Sequence, residues 1–200
     1  FGLASDLIQR DEADVFLVGG TEAPLHPTIF RNLCAAGALS TQKGGGCPAP
    51  FDKERDGPVL AEGAGVVVFE ELGHALRRGA PIYAEFKGWG STTDAFSLTR
   101  TEPTGTQGIR ASQAALTQAA VAADEIDYIS AYGIATPSCD WTETRITKMV
   151  FGDRARTIPI SAIQSMVGYS WAAMGALQFI ASCLAIDLES RTPDAQTVAD

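Results

Sequence analysis

The sequence predicts an α/β fold organised on a largely parallel sheet. Three observations lead there. Short β-leaning runs alternate with helix-spaced runs, so the order along the chain reads strand, helix, strand, helix. The stretch from Tyr128 to Glu143 joins a strand, a loop and a helix start in one short run. Hydrophobic residues make up 46% of the 200 positions, enough to bury a core in one domain or one piece of a larger domain.

The elements follow in order. Phe1 to Arg10 has helical spacing through Phe1, Ala4, Leu7 and Ile8. Val15 to Val18 is a short apolar strand ending on Gly19-Gly20. The chain thus opens inside a helix with no cationic or apolar leader, and a preceding segment is expected. A helix-compatible stretch at Ile29 to Ala36 leads into a Gly/Pro-rich loop, Lys43 to Pro50. The motif P-F-D-K-E-R-D-G, Pro50 to Gly57, forms either a solvated turn or an ion-pair cluster of Arg55 with Asp52 and Asp56, and composition favours the turn. Val59 to Glu70 reads as two β segments hinged at Gly63 and Gly65.

Leu72 to Arg78 is a short helix closed by Gly79, and Ile82 to Gly88 a further strand. Ser91 to Gly105 is polar and long enough to be a functional or a mobile loop. An Ala-rich helix spans Ile109 to Val121 and ends at Asp124-Glu125. Later elements are a helix through Thr144 to Phe151, a strand at Thr157 to Ser161, a loop from Ala162 to Gly168 and a last helix to Leu188. No charge appears between Arg156 and Asp187, and Tyr169 to Ile186 is long enough for a membrane span to be considered. Apolar residues all round, interrupted by glutamines and serines, instead predict a helix buried between sheets.

Composition narrows the function. A net charge of -9 argues against binding nucleic acid or anionic lipid through bulk electrostatics. Cys34, Cys47, Cys139 and Cys183 show no C-x-x-C pair and no histidine in ligand spacing. That argues against a metal site or a disulfide scaffold and for reduced thiols in a cytoplasmic protein. The loop after Tyr128 sits where α/β proteins place chemistry, yet it offers only Tyr132, Thr136 and Cys139, with no histidine or lysine. His26 and His74 fall outside this stretch and read as structural or solvated, and Cys139 has no basic partner in sequence that would make it a nucleophile.

A series of motifs then carries a resemblance. G-G-T-E-A-P-L (Gly19 to Leu25), A-L-S-T (Ala38 to Thr41), P-F-D-K-E-R-D-G, E-G-A-G (Glu62 to Gly65), the Tyr128 to Glu143 stretch and Q-S-M-V-G-Y (Gln164 to Tyr169) occur in that order. Together they resemble the β-ketoacyl-acyl-carrier-protein synthases, the ketosynthases of fatty acid and polyketide assembly. The resemblance implies a thiolase-type fold of α/β/α/β/α layers, made of two similar halves and normally dimeric. Residues 1 to 200 would form a single ketosynthase-like region, incomplete in this chain. The nucleophilic cysteine is expected a few residues before Phe1, and a Gly-rich closing segment after Asp200.

The resemblance also exposes departures. Where the family carries H-G-T, this chain has Tyr132-Gly133-Ile134; where it carries K-S-M-T-G-H, the chain has Gln164 to Tyr169. Tyr132, Gln164 and Tyr169 thus take the positions of the family's first histidine, lysine and second histidine. Ile134 replaces the threonine that helps hold the pantetheine arm, while Thr136, Asp140 and Glu143 match the family and stand on the pocket or pantetheine side. In the family, two imidazoles serve the enolate left by malonyl decarboxylation. A tyrosine, with a pKa near 10, cannot exchange protons at neutral pH as imidazole does. Three such losses, each worth ~2 to 4 kcal/mol of barrier, imply no useful turnover.

The sequence therefore predicts a chain that is not an enzyme by itself. It would resemble a chain-length factor, pairing as a heterodimer with an active ketosynthase and shaping the acyl tunnel, with an acyl carrier protein as further partner. It would need no cofactor or metal of its own; the carrier's phosphopantetheine would enter as a substrate arm. The alternative is a ketosynthase-fold enzyme that uses Tyr132 or Tyr169 in altered acyl-transfer chemistry. A third possibility is a relic that only stabilises a partner.

Overall fold

The computed structural model of the chain describes residues 1–42 and 48–191. Lys43 to Cys47 of the Gly/Pro-rich loop, and the polar tail beyond Arg191, lie outside the described residues. The chain divides into two compact units.

The first unit comprises Phe1–Glu22, Gly63–Phe86 and the segment from Trp171. It contains α1 (Gly2–Gln9), β1 (Val15–Glu22), β2 (Gly63–Glu70), α3 (Leu72–Arg77) and α7 (Met174–Arg191), the last entered through a 3-10 turn at Trp171–Ala173. β1 and β2 form an antiparallel ladder from Val15 opposite Glu70 to Glu22 opposite Gly63. Both strands are apolar on both faces, the pattern of a strand meant to be covered on two sides. Within this unit one face is covered: Gly65 lies against Ala176 and Ile180 of α7. Phe1, Phe69, Phe86 and Phe179 stack into one cluster with ring centroids 4.4 to 5.9 Å apart, led by the Phe1–Phe179 pair. Such aromatic contacts add about 0.5 to 1.5 kcal/mol each beyond area burial.

Three expectations change here. β1 does not stop at Gly19-Gly20 but runs to Glu22, because β2 supplies ladder partners for both glycines. The second of the two predicted segments in Val59 to Glu70 is one unbroken strand, since Gly63 and Gly65 are themselves paired. The stretch from Ile82 forms no strand among the described residues; Phe86 serves the aromatic cluster instead. α3 ends as expected, with Gly79 at φ +68° just past Arg78.

The segment Trp171–Leu188 is, among the described residues, the one helix long and apolar enough to cross a membrane, with mean hydropathy 1.5. The expected burial between sheets is only partly met, with 17% of this window buried. Met174 and Ala176 are buried, while Leu184, Ile186 and Leu188 are exposed. A helix apolar all round has more than one face to cover, and β1 and β2 cover one.

The second unit comprises Ala23–Glu62 and Lys87–Ser170. It holds α2 (Pro27–Ala35), α4 (Thr106–Ala119), β3 (Ile129–Ser130), α5 (Pro137–Phe151), β4 (Ile160–Ser161) and α6 (Gln164–Val167), with 3-10 turns at Ala123–Glu125 and Gly152–Arg156. His26 caps α2, its ring Nδ1 accepting from the Thr28 amide at 3.3 Å. α4 admits close neighbours because its side chains are small: a Cβ on Gly90 would lie 2.0 Å from the Ala111 carbonyl oxygen. The Ser91 to Gly105 loop is tied down by polar contacts, among them Thr92 Oγ1 to the Gln107 carbonyl at 2.7 Å and the Glu102 amide to Asp94 Oδ2 at 3.0 Å.

β3 and β4 are parallel, pairing Ile129 with Ile160 and Ser130 with Ser161. The predicted parallel arrangement thus holds for this short ladder, while the longer β1–β2 ladder is antiparallel. Alternation of strand and helix types does not distinguish the two, because an antiparallel neighbour can come from a distant segment just as a parallel one can.

Candidate active-site loop

The site grows from the carboxyl end of β3. The ladder fixes the strand, with the Ala131 amide donating to the Ser161 carbonyl at 2.8 Å, and the chain then turns through Tyr132 to Thr136 into α5. Two residues of the turn have left-handed backbone, Gly133 at φ +43° and Ala135 at φ +61°. At Gly133 only glycine fits: a Cβ would stand 2.5 Å from the Ala162 Cβ and 3.1 Å from both Phe51 and Pro50. Ala135, strained by its Cβ, is completely buried and held by its surroundings.

Two carboxylates on the first turns of α5 hold this backbone. Glu143 accepts the Tyr132 amide on Oε1 at 2.6 Å and the Gly133 amide on Oε2 at 2.9 Å. Asp140, with its side chain 1% exposed, accepts the Phe51 amide on Oδ2 at 2.8 Å and faces Arg55 Nε at 3.1 Å. Burial pushes both carboxyls above their usual range. For Glu143 the two amides oppose that rise, and for Asp140 the Phe51 amide and the Arg55 charge do.

The solvated-turn reading of P-F-D-K-E-R-D-G holds, with turns at residues 50–51 and 53–54 and Phe51 to Glu54 exposed, while the ion-pair cluster of Arg55 with Asp52 and Asp56 does not form. Arg55 pairs with Asp140 rather than with Asp52 or Asp56, and its terminal nitrogens donate to the carbonyls of Asp52 (2.6 Å) and Pro137 (3.2 Å). Asp56 instead accepts from Ser40 Oγ at 2.6 Å and from the Thr41 amide at 2.8 Å. The motif is a clamp between two loops. Phe51 and Asp140 stand 89 positions apart, so local pattern carries no sign of it.

Tyr132, Gln164 and Tyr169 come together at the mouth of the loop. The two tyrosine hydroxyls bond at 2.7 Å, with the rings edge to face, centroids 6.0 Å apart and planes at 81°. Tyr169 is placed by its backbone, its amide donating to the Val59 carbonyl at 2.8 Å and its carbonyl accepting the Ala61 amide at 3.0 Å. Gln164, the first residue of α6, is fully buried; its Nε2 donates to the Tyr132 carbonyl, and its Oε1 has no partner among the described residues. Ile134 is half-buried in the turn. Thr136 is the N-cap residue of α5 without a side-chain capping bond. Cys139 is half-buried, its Sγ 3.4 Å from Thr101 Oγ1.

This arrangement can donate but has no ready base. Burial, and then the bond to Tyr169, raises the Tyr132 hydroxyl above an ordinary phenol, so it stays protonated at neutral pH. Two phenols bring two O–H donors, and the bond between them uses one; the other remains for an acceptor such as a carbonyl oxygen. Neither histidine is available, since His26 caps α2 and His74 faces Glu70 at 2.5 Å.

The α/β fold is thiolase-like, matching solved ketosynthase structures. The chain belongs to the β-ketoacyl synthase family: residues 1–75 match its N-terminal domain and residues 83–196 its C-terminal domain. It is 40% identical over 187 residues, 92% of its length, to a 3-oxoacyl-[acyl-carrier-protein] synthase 2 of Staphylococcus aureus, covering 46% of that protein. A Coxiella burnetii protein of the same name is 41% identical, with 45% of it covered. The chain thus spans about half the length of the curated relatives it matches. Among solved structures, a type II polyketide ketosynthase in complex with its acyl-carrier protein and bound to the hexaketide matches at 38% identity and TM-score 0.90, over 93% of this chain and 46% of the other. The ishigamide ketosynthase/chain length factor matches at 38% identity and TM-score 0.84, over 94% and 44%.

These relatives correct one expectation. The absence of histidine and lysine at the three matched positions predicts a chain that is not an enzyme, yet the curated relatives, at 40 and 41% identity, are named as synthases. Three side chains are a narrow basis for excluding an activity when nearly the whole chain follows proteins that carry it. The summed barrier treated the three losses as independent, whereas these side chains form one bonded cluster, in which single effects do not add.

Proposed function

We propose that the chain is part of a ketosynthase-family subunit of a fatty acid or polyketide elongating assembly. It pairs with a second ketosynthase chain, takes acyl groups from an acyl carrier protein and forms part of the acyl tunnel wall. The observation that carries this is the Tyr132–Tyr169 hydroxyl bond at 2.7 Å, which joins two large rings at positions that, on the resemblance, correspond to the family's histidines. Supporting it, one similar structure is a ketosynthase/chain length factor and another a ketosynthase with its carrier protein. Co-purification of the full-length protein with ketosynthases from the same cell tests the pairing. A stable two-chain complex is expected, and a strictly monomeric or homodimeric protein contradicts it.

The unused phenol donor favours a second reading, in which Tyr132 or Tyr169 donates to a thioester oxygen during acyl transfer. Replacing both tyrosines with phenylalanine in the assembled complex separates the two. Turnover nearly unchanged supports a wall, and a fall of about a hundredfold, the scale of one lost oxyanion donor, supports a donor.

A further inference from the structure

α5 turns a second face away from the loop. Trp141, Thr144, Arg145, Lys148 and Met149 recur at helical spacing and, with Phe51 and Arg55, line a cleft of about 380 Å³. Charge within it is unevenly matched. Arg55 is neutralised by Asp140 at 3.1 Å. Arg145 donates its Nε to the Thr104 carbonyl at 3.0 Å, a neutral acceptor, and its guanidinium carbon stands 5.9 Å from the Trp141 ring centroid. Among the described residues neither Arg145 nor Lys148 has a carboxylate partner, and the terminal nitrogens of Arg145 make no hydrogen bond.

Two uncompensated cations one turn apart are unexpected on a chain with 15 basic and 24 acidic residues. The Thr104 carbonyl fixes the guanidinium through Nε, which leaves its paired terminal nitrogens free for a forked contact with an oxyanion. Lys148 adds a point charge. A carboxylate would neutralise one of the two, whereas a phosphate monoester carries about -1.5 to -2 at neutral pH and matches both. Beside the cations lie exposed apolar surfaces, Trp141 at 54% and Met149 at 60%. The volume falls in the range of ~300 to 1,000 Å³ that suits small molecules. The chain's charge of -9 disfavours a nucleic acid.

We propose that this cleft binds a phosphate-bearing small molecule with an aromatic or apolar body, the phosphate held by Arg145 and Lys148 and the body packed on Trp141. The site is separate from the tyrosine cluster and does not depend on the function proposed above.

The test is calorimetric titration of the full-length protein with phenyl phosphate and with inorganic phosphate. Saturable binding of both is expected, with phenyl phosphate tighter by about threefold or more through its ring. An Arg145→Ala/Lys148→Ala double variant should weaken both by about tenfold or more. Trp141→Ala should remove the preference for the aryl ester while leaving inorganic phosphate bound. Unchanged thermal midpoints in these variants show that the fold is intact. Equal binding by the double variant, or no saturation below about 10 mM, overturns the proposal. So does an acidic peptide that binds through Arg145 and Lys148 while neither phosphate does, which would assign the face to a protein partner.

Discussion

The two faces of α5 differ more than their shared sequence suggests. Asp140 and Trp141 are neighbours in the chain, yet one is 1% exposed and the other 54%. The face of Asp140 and Glu143 is acidic, buried at Asp140 and half-buried at Glu143, and bonded to backbone amides of two loops. The face of Trp141, Arg145 and Lys148 is cationic and open. A helix turns about 100° per residue, so adjacent positions can meet opposite environments. The difference separates two tasks: one face fixes the shape of the Tyr132 to Thr136 turn, and the other offers charge to solvent.

The sharpest way to break this contrast is Asp140→Ala, which leaves Arg55 without its carboxylate and the Phe51 amide without an acceptor. We expect a loss of about 3 to 5 kcal/mol, read as a fall in the thermal midpoint of the full-length protein. A change as small as that of a surface substitution would show that the clamp does not hold the loop.

Glu143→Gln should cost about 1 to 3 kcal/mol, because the amide keeps one acceptor where two backbone donors converge. The pH dependence sharpens it. Glu143 holds its proton more tightly folded than unfolded. Its contribution is fully present below the ordinary carboxylate range and is lost as pH rises through its raised value. Glu70 has the opposite sign: Arg78 first and His74 second hold its carboxyl down to about 2. Its contribution is present above the ordinary carboxylate range and is lost as pH falls towards 2. In stability measured against pH, Glu143→Gln should therefore remove the loss above the carboxylate range, and Glu70→Gln the loss below it.

Tyr132→Phe removes one hydroxyl from a partly exposed pair and should cost about 1 kcal/mol. A loss several times larger would mean that the hydroxyl pair, rather than the carboxylates, organises the mouth. Arg145→Ala and Lys148→Ala on the open face should each stay within about 0.5 kcal/mol in thermal unfolding.

The sequence shows why some of this was readable. The strand–loop–helix order at Tyr128 to Glu143 and the helix containing Thr144 to Phe151 follow from patterns local to each segment. The grouping of Tyr132, Gln164 and Tyr169 comes instead from the family resemblance, because 32 and 37 positions separate Tyr132 from Gln164 and Tyr169. The Arg55–Asp140 clamp does not follow from local pattern, because composition around Arg55 offers two nearer carboxylates, and only the fold brings the distant one closer. The Ile82 segment has a strand's composition but finds no ladder partner among the described residues. α7 reads as a core helix from its apolar residues, and its exposure depends on what covers its remaining faces.

The central claim is tested most directly by assembling the full-length protein with a ketosynthase and an acyl carrier protein from the same cell and measuring the length of the acyl product. If this chain pairs with the ketosynthase and lines the tunnel, the two co-purify as one complex, and Tyr132→Ala, by removing a large ring from the wall, changes product length. A protein that never joins the ketosynthase, or a complex whose product length is the same with Tyr132→Ala, contradicts the claim.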